Sequence, residues 1–181
     1  MKYSQTIRLK NGADCCLRNG TEADGRAALA LFILTHGETD YLLSYPDENS
    51  IDVAQESRFL QEKTESENEI EILAFVGDTL AGMAGIEALG GCAKLRHRAD
   101  FGVSVAKTFW GLGIGRALTE ACIRCAREAG YLQLELNVVA ENEKAISLYQ
   151  SLGFVEYGRN PRGFRTRTSG YQELVYMRME L

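Results

Sequence analysis

The chain is short of positive charge, of long apolar runs and of paired cysteines, and each shortage removes a class of function. Lys and Arg number 20 against 25 Asp and Glu, for a net charge of −5. No basic run is long enough to form a phosphate-tracking stripe, so nucleic acid is excluded as a partner. No segment reaches the roughly 20 consecutive apolar residues that span a bilayer. Met1 to Lys10 is polar and lacks the apolar heart of a secretion signal. The expectation is a cytoplasmic protein with no membrane partner. The cysteines are odd in number, and Cys15, Cys16, Cys92, Cys122 and Cys125 do not form two metal-ligand pairs. Cys122 and Cys125 have CxxC spacing, but they occupy apolar positions of a helical pattern. They read as small reduced core residues, and no metal site is expected. No internal repeat, linker or low-complexity stretch interrupts the chain.

What is there suits one domain over residues 1–181, with 45% hydrophobic residues to fill a core. Residues 3–18 alternate loosely around Asn11-Gly12, a turn signal, and read as a first strand ending near Leu17-Arg18. Thr21 reads as the cap of a helix that Gly37 closes. Ser50 reads as the cap of a second helix. Between them, Glu38, Asp40, Tyr41, Asp47 and Glu48 form a polar and aromatic loop. Its carboxylates either attract a cationic amine or are simply solvated. Residues 70–76 and 79–88 are strand-like and joined by Gly77-Asp78, a hairpin. The next strand is expected over 94–105.

The stretch after that strand organises the rest. Gly111, Gly113 and Gly115 are spaced two apart and lead into an amphipathic helix over 114–129. Its apolar set, Ile114, Ala117, Leu118, Ala121, Cys122, Cys125, Ala126 and Ala129, keeps helical spacing throughout. Glycine lets backbone N–H groups converge on a ligand, and a helix N-terminus favours an anion. A phosphate-bearing cofactor is therefore expected at Gly111 to Arg116. The nucleotide P-loop is excluded, because Arg116-Ala117 follow Gly115 where Lys-Ser/Thr is required. The dinucleotide fingerprint is excluded too, since its last glycine slot falls on Arg116 or Leu118. Leu132, Leu134, Leu136 and Val138 then alternate with polar residues in a strand parallel to the one before the loop. Asn142 opens a short helix that Gly153 stops. Two final strands, over 154–167 and 172–180, meet near Ser169-Gly170.

The loop resembles the acyl-CoA loop of the GNAT N-acetyltransferase superfamily, Arg/Gln-x-x-Gly-x-Gly/Ala. Gly113 and Gly115 fill its glycine slots, and Trp110 stands where Arg or Gln is commonest. Residues 142–154 resemble the second signature of that superfamily, Asn-x-x-Ala-x-x-x-Tyr-x-x-x-Gly-Phe, at every fixed position. Gly170-Tyr171-Gln172-Glu173 before the last strand is similar to the branch of ribosomal-protein alanine N-acetyltransferases, many members of which act on other amines.

The resemblance implies an α/β fold whose central, mostly antiparallel sheet is flanked by helices and contains one splayed parallel pair. It implies acetyl-CoA or coenzyme A as cofactor and an amine of a small molecule or a protein as acceptor. A homodimer is implied as well. The cofactor would contact Val103, Ser104, Val105, Trp110, Gly111, Leu112, Gly113, Ile114, Gly115, Arg116, Asn142 and Ala145. Tyr149 lies seven residues beyond Asn142 and is expected to be the general acid for the departing thiolate. The base stays open between His97, Asp100, Glu135 and water. Two alternatives stand beside an N-acetyltransferase: a non-catalytic acyl-CoA-binding or sensory domain, and an enzyme using another acyl-CoA donor. The basic run 158–167 lines the acceptor opening, touches the 3′-phosphate of CoA, or is a solvated hairpin.

Overall fold

A computed structural model describes residues 1–181. Eight strands form a single sheet in the order β1-β2-β3-β4-β5-β6-β8-β7. The strands are β1 (Ser4–Arg8), β2 (Asp14–Asn19), β3 (Ile70–Val76), β4 (Thr79–Ala88), β5 (Arg98–Val105), β6 (Gln133–Val139), β7 (Val155–Thr166) and β8 (Gly170–Glu180). The helices are α1 (Gly25–Glu38), α2 (Val53–Glu65), α3 (Ile114–Glu128) and α4 (Glu143–Leu152). Every neighbouring pair is antiparallel except β5 and β6, which the α3 crossover makes parallel.

Side-chain alternation gives the sheet two different faces. Ile72, Ala84, Phe101, Leu134 and Leu136 point to one side and pack with Leu118, Cys122 and Tyr149 of α3 and α4. Leu73 and Met83 point to the other side and pack with Leu31 of α1 and Leu60 of α2. Strand period and helix stripe therefore agree on which residues are buried. Cys122 and Cys125 lie in the core with exposures of 0% and 1%, and all five cysteines are free thiols.

Several sequence expectations need correction. Residues 3–18 form two strands, with Ser4 opposite Arg18 and Arg8 opposite Asp14 across the Asn11-Gly12 turn. A turn signal inside an alternating run divides it, and both halves alternate for the same reason. The α1 helix runs one residue past Gly37, to Glu38, and is preceded by a single 3-10 turn over Glu22–Asp24. Within that turn the Asp24 carboxylate accepts the Thr21 N–H and hydroxyl at 2.9 Å each. Asp52, not Ser50, caps α2: it accepts the Gln55 N–H, while Gln55 accepts the Asp52 N–H, both at 2.8 Å. The strand expected from residue 94 starts at Arg98, because Ala93–Leu95 make a 3-10 turn.

Candidate active site

The parallel pair is joined over only a short length. Arg98, Ala99 and Asp100 pair with Gln133, Leu134 and Glu135, and beyond Asp100 the two strands part. Residues 101–105 keep their antiparallel partners on β4 but turn an unpaired edge towards β6. Val103, Ser104 and Val105 are half-buried along that edge. Main-chain polar groups alternate between the two edges of a strand, so this one offers donors and acceptors to an extended ligand.

The glycine loop follows at the end of β5. Gly111 and Gly113 have φ of 79° and 102°, and Gly113 is the N-terminal cap of α3. A Cβ at either position would meet nothing within 4 Å, so the backbone dihedral and the open space before it define these positions. None of the N–H groups from Gly111 to Arg116 donates to a main-chain carbonyl. Six consecutive free donors at a helix N-terminus suit a phosphate. Ile114 contributes only its backbone, since its side chain is buried in the core at 1% exposure. Leu112 anchors the loop by accepting the Lys10 N–H at 3.2 Å.

Trp110 plays a different part from its neighbours. Its indole N–H donates to the Val105 carbonyl at 2.6 Å, and its main-chain N–H donates to Lys107 at 3.2 Å. Both donors are spent inside the loop, so Trp110 braces it. The Arg116 guanidinium donates to Ser151 at 2.7 Å, tying the start of α3 to α4. Asn142 caps α4 as expected, its Oδ1 accepting the Ala145 N–H at 3.3 Å. The Ala145 donor is thereby occupied.

Tyr149 and Asp100 approach the parting strands from opposite faces of the sheet. The Tyr149 ring packs edge-on against Phe101 at 6.2 Å and near Phe154 at 5.8 Å, on the α3/α4 side. Burial pushes its phenol up to about 12, with no charged neighbour contributing. Asp100 alternates with core-facing Ala99 and Phe101, so its carboxyl projects on the α1/α2 side. The residue is exposed to solvent, yet the carboxyl is raised to about 6. Desolvation leads that shift, and the negative charges of Glu135 and Glu87 add to it.

The other two base candidates are separated from this role by their contacts. Glu135 receives a two-pronged ion pair from Arg98, one prong at 2.8 Å, and also accepts from Gln133 and Tyr157. The Arg98 guanidinium holds its carboxyl below the usual range, despite burial. His97 is exposed and lies in the turn before β5, not on the strand. Its carbonyl accepts the N–H groups of Leu132 and Gln133, so it helps to set the β5–β6 register.

A cleft of about 590 Å³ opens beside the loop. The end of α1 (Glu38, Thr39, Asp40, Tyr41), the post-β5 turn (Lys107, Trp110), Glu141 and β8 with its turn (Ser169, Tyr171, Gln172) line it. Of the acidic loop, Glu38, Asp40 and Tyr41 thus reach the cleft. Asp47 and Glu48 instead pair with Arg167 at 2.8 and 3.4 Å, clasping the β7–β8 turn to the α1–α2 loop. The basic run is divided in the same way: Arg159 pairs with Glu156 and Glu173, while Arg162 and Arg165 lie over the Tyr171 ring. Gln172 is a residue that sequence reasoning missed. It is 8% exposed, and its Oε1 has no hydrogen-bond partner. Nothing in an alternating strand marks one glutamine as orphaned.

Known proteins share this arrangement. The chain is 35% identical over 89 residues to the N-alpha-acetyltransferase RimI of Mycobacterium tuberculosis, covering 49% of this chain and 54% of that protein. Curated relatives are matched over only part of their own length, from 16% to 54%. A GNAT-family acetyltransferase structure from Streptococcus pneumoniae superposes with a TM-score of 0.88 at 27% identity, covering 92% of this chain and 99% of that one. The fold is also that of yncA, a putative acetyltransferase from Salmonella typhimurium solved with its cofactor acetyl-CoA. There the TM-score is 0.82 at 18% identity, over 92% and 94% of the two chains. The model of the acetyltransferase (GNAT) family matches residues 34–154, a span that takes in both the glycine loop and the Asn142–Phe154 motif, and the chain belongs to that family.

Proposed function

We propose that this protein is an acetyl-CoA-dependent N-acetyltransferase acting by direct transfer to a primary amine, over one domain of residues 1–181. The observation that carries the reading is the pair of protonatable groups on opposite faces of the parting strands, next to a row of free N–H donors. The residues present fit the cofactor. Amides of Gly111 to Arg116 would hold its pyrophosphate, the open edge at Val103, Ser104 and Val105 would pair with the pantetheine arm, and the Asn142 side chain retains an amide N–H to give. When bound, acetyl-CoA supplies the acetyl group as a thioester, and CoA leaves as the thiolate.

Asp100 accepts the proton of the incoming amine, directly or through water. With a pKa near 6 it is ionised at neutral pH and still basic enough for the task. Tyr149 meets the developing thiolate on the other face. Its raised pKa lies well above the thiol value of about 8.5, so complete proton transfer is uphill. The phenol therefore acts first as a hydrogen-bond donor to the thiolate, a refinement of simple general-acid catalysis.

A cytoplasmic location belongs to the same proposal and is supported by five free cysteines. So does a homodimer, supported by half-exposed Val155 and Tyr157 on the edge strand β7. Sedimentation at micromolar concentration checks it.

The test of the reaction is free-thiol release from acetyl-CoA against a broad amine panel, for wild type, Tyr149→Phe and Asp100→Asn. Turnover is expected with at least one amine. Each substitution is expected to lower kcat by about 100-fold, within the usual range for proton-transfer groups. An unchanged rate in Tyr149→Phe would remove the phenol from the mechanism. Tight acetyl-CoA binding without turnover on any amine would point to a binding domain, and turnover confined to a longer acyl-CoA would point to another donor.

A further inference from the structure

We propose that Glu87 and Glu135 are positioning residues for the transfer step, each acting through Asp100, which lies between them in a row of carboxylates across β4, β5 and β6. This deepens the N-acetyltransferase reading and rests on Asp100 as its base. Glu87 stands directly opposite Asp100 on one neighbouring strand, and Glu135 directly opposite it on the other. Opposed residues share a face, so all three side chains project on the α1/α2 side. Like charges directly opposite one another destabilise a sheet. Here two such pairs meet at one residue, at the point where the parallel strands part.

Cations are shared out unevenly along the row. Glu87 pairs with Lys63 of α2 at 2.9 Å, and the same ammonium reaches Glu69 at 2.8 Å. Glu135 takes both prongs of Arg98 and further donors from Gln133 and Tyr157. Asp100 pairs with neither cation. The flanking carboxylates are thus held ionised, while the central one feels their charge with no cation of its own. A carboxylate paired with its own cation is a weak base, and one flanked by anchored negative charge is a stronger one. The other charged groups on this face bear on the row from outside. Arg178 is opposite Glu135 on β8 and lies over the Tyr157 ring at 5.9 Å. Glu56 and Glu71, under α2, act on each other, and Glu71 feels Lys63 and Glu87.

The two flanks are not equivalent. Loss of the Glu135 charge would free Arg98, which sits two residues before Asp100 on the same strand and face. Loss of the Glu87 charge would leave Lys63 bound to Glu69. The effect on Asp100 is therefore larger from Glu135.

The test is the pH at which the ratio of the rate with Asp100 to the rate with Asp100→Asn rises, measured in each background. Wild type is expected to show it near pH 6. Glu87→Gln should move it to lower pH by about half a unit, and Glu135→Gln by about one unit or more. The plateau above it should fall by about threefold or less, since a weaker base transfers protons more slowly. Lys63→Met should move the rise to higher pH, and Glu87→Asp, which keeps the charge, should restore it to near 6. The displacements should shrink as salt rises. A merely structural role would lower the rate at every pH and leave the rise in place. Glu87 is exposed, so Glu87→Gln and Glu87→Asp keep the test open even where Glu135→Gln fails to fold. A rise at the same pH in wild type and both Gln variants keeps the base and overturns the proposal, as does a move to lower pH in Lys63→Met. A wild-type ratio flat in pH removes the base and the role of the row with it. If no amine is turned over, the N-acetyltransferase reading fails by itself. Carbon-13 NMR titration of the Asp100 carboxyl, assigned by its loss in Asp100→Asn, then decides whether the row acts on Asp100 in the stated order.

Discussion

The two side chains proposed to move protons owe their chemistry to opposite surroundings. Tyr149 sits among Phe101 and Phe154 and keeps its proton throughout the neutral range, its pKa near 12. Asp100, its carboxyl desolvated and then crowded by Glu135 and Glu87, is shifted to about 6 and loses its proton just below neutrality. A base works only when deprotonated, so the Asp100 contribution is absent well below pH 6 and complete well above it. The acceptor amine also titrates, but its ionisation is common to wild type and variant. The ratio of the wild-type rate to the Asp100→Asn rate isolates the carboxyl. That ratio is expected to rise with pH through about 6 and then level near 100-fold. Steady-state assays from pH 5 to 9 would show it, and a ratio flat in pH would remove Asp100 as the base. In sequence, Asp100 and Glu135 look alike, two carboxylates on neighbouring strands. Only the fold reveals that Arg98 engages one and leaves the other.

At the scale of the element, the glycine loop and α3 behave as one device. Gly113 must hold a φ of 102° for the six free amides to face outward, a conformation that a Cβ disfavours by roughly 1–2 kcal/mol. Gly113→Ala is expected to lower stability by about that amount and to weaken acetyl-CoA binding at least tenfold, measured by urea melts and calorimetry. Leu118, one turn into α3 and 0% exposed, seats the helix on the sheet. Leu118→Ala should cost about 2–5 kcal/mol in the same melts. This device was legible because its pattern is periodic: the apolar positions of α3 all fall on the buried face, and glycine spacing reports backbone geometry directly. The hairpin at Gly77-Asp78 and the parallel crossover were legible for the same reason. Boundaries set by one polar contact were not. Ser50 and Asp52 are equally good caps on paper, and the reciprocal hydrogen bonds with Gln55 choose Asp52. The 3-10 turn before β5 was hidden too, because it exists to bring Arg98 level with Gln133, a partner 35 residues away.

The two faces of the sheet also set how the whole molecule responds to pH. The α3/α4 face is largely apolar, whereas the α1/α2 face buries carboxyls, one of which has no cation bound to it and opposes folding when it ionises. Glu71 is the extreme case: at 9% exposure beneath α2, desolvation first, then the charge of Glu56, raises its pKa from 4.5 to about 8. A pKa higher in the folded than in the unfolded chain means that the folded state binds more protons. Stability from this group is therefore fully present below about 4.5 and is lost as pH rises towards about 8. Asp24 works in the other direction. Its pair with Arg18 at 2.7 Å lowers its pKa from 3.8 to about 2, so its contribution is present above about 4 and lost as pH falls towards 2. The contributions of these two groups taken alone are both fully present only near pH 4 to 5. Urea midpoints for wild type are expected to decline between pH 5 and 8. Glu71→Gln keeps the shape and cannot ionise, so its midpoint should stay flatter over that interval, with a gain of order a few kcal/mol at pH 8. A wild type whose midpoint rises from pH 5 to 8, in parallel with the variant, would show that Glu71 ionises freely in the folded chain.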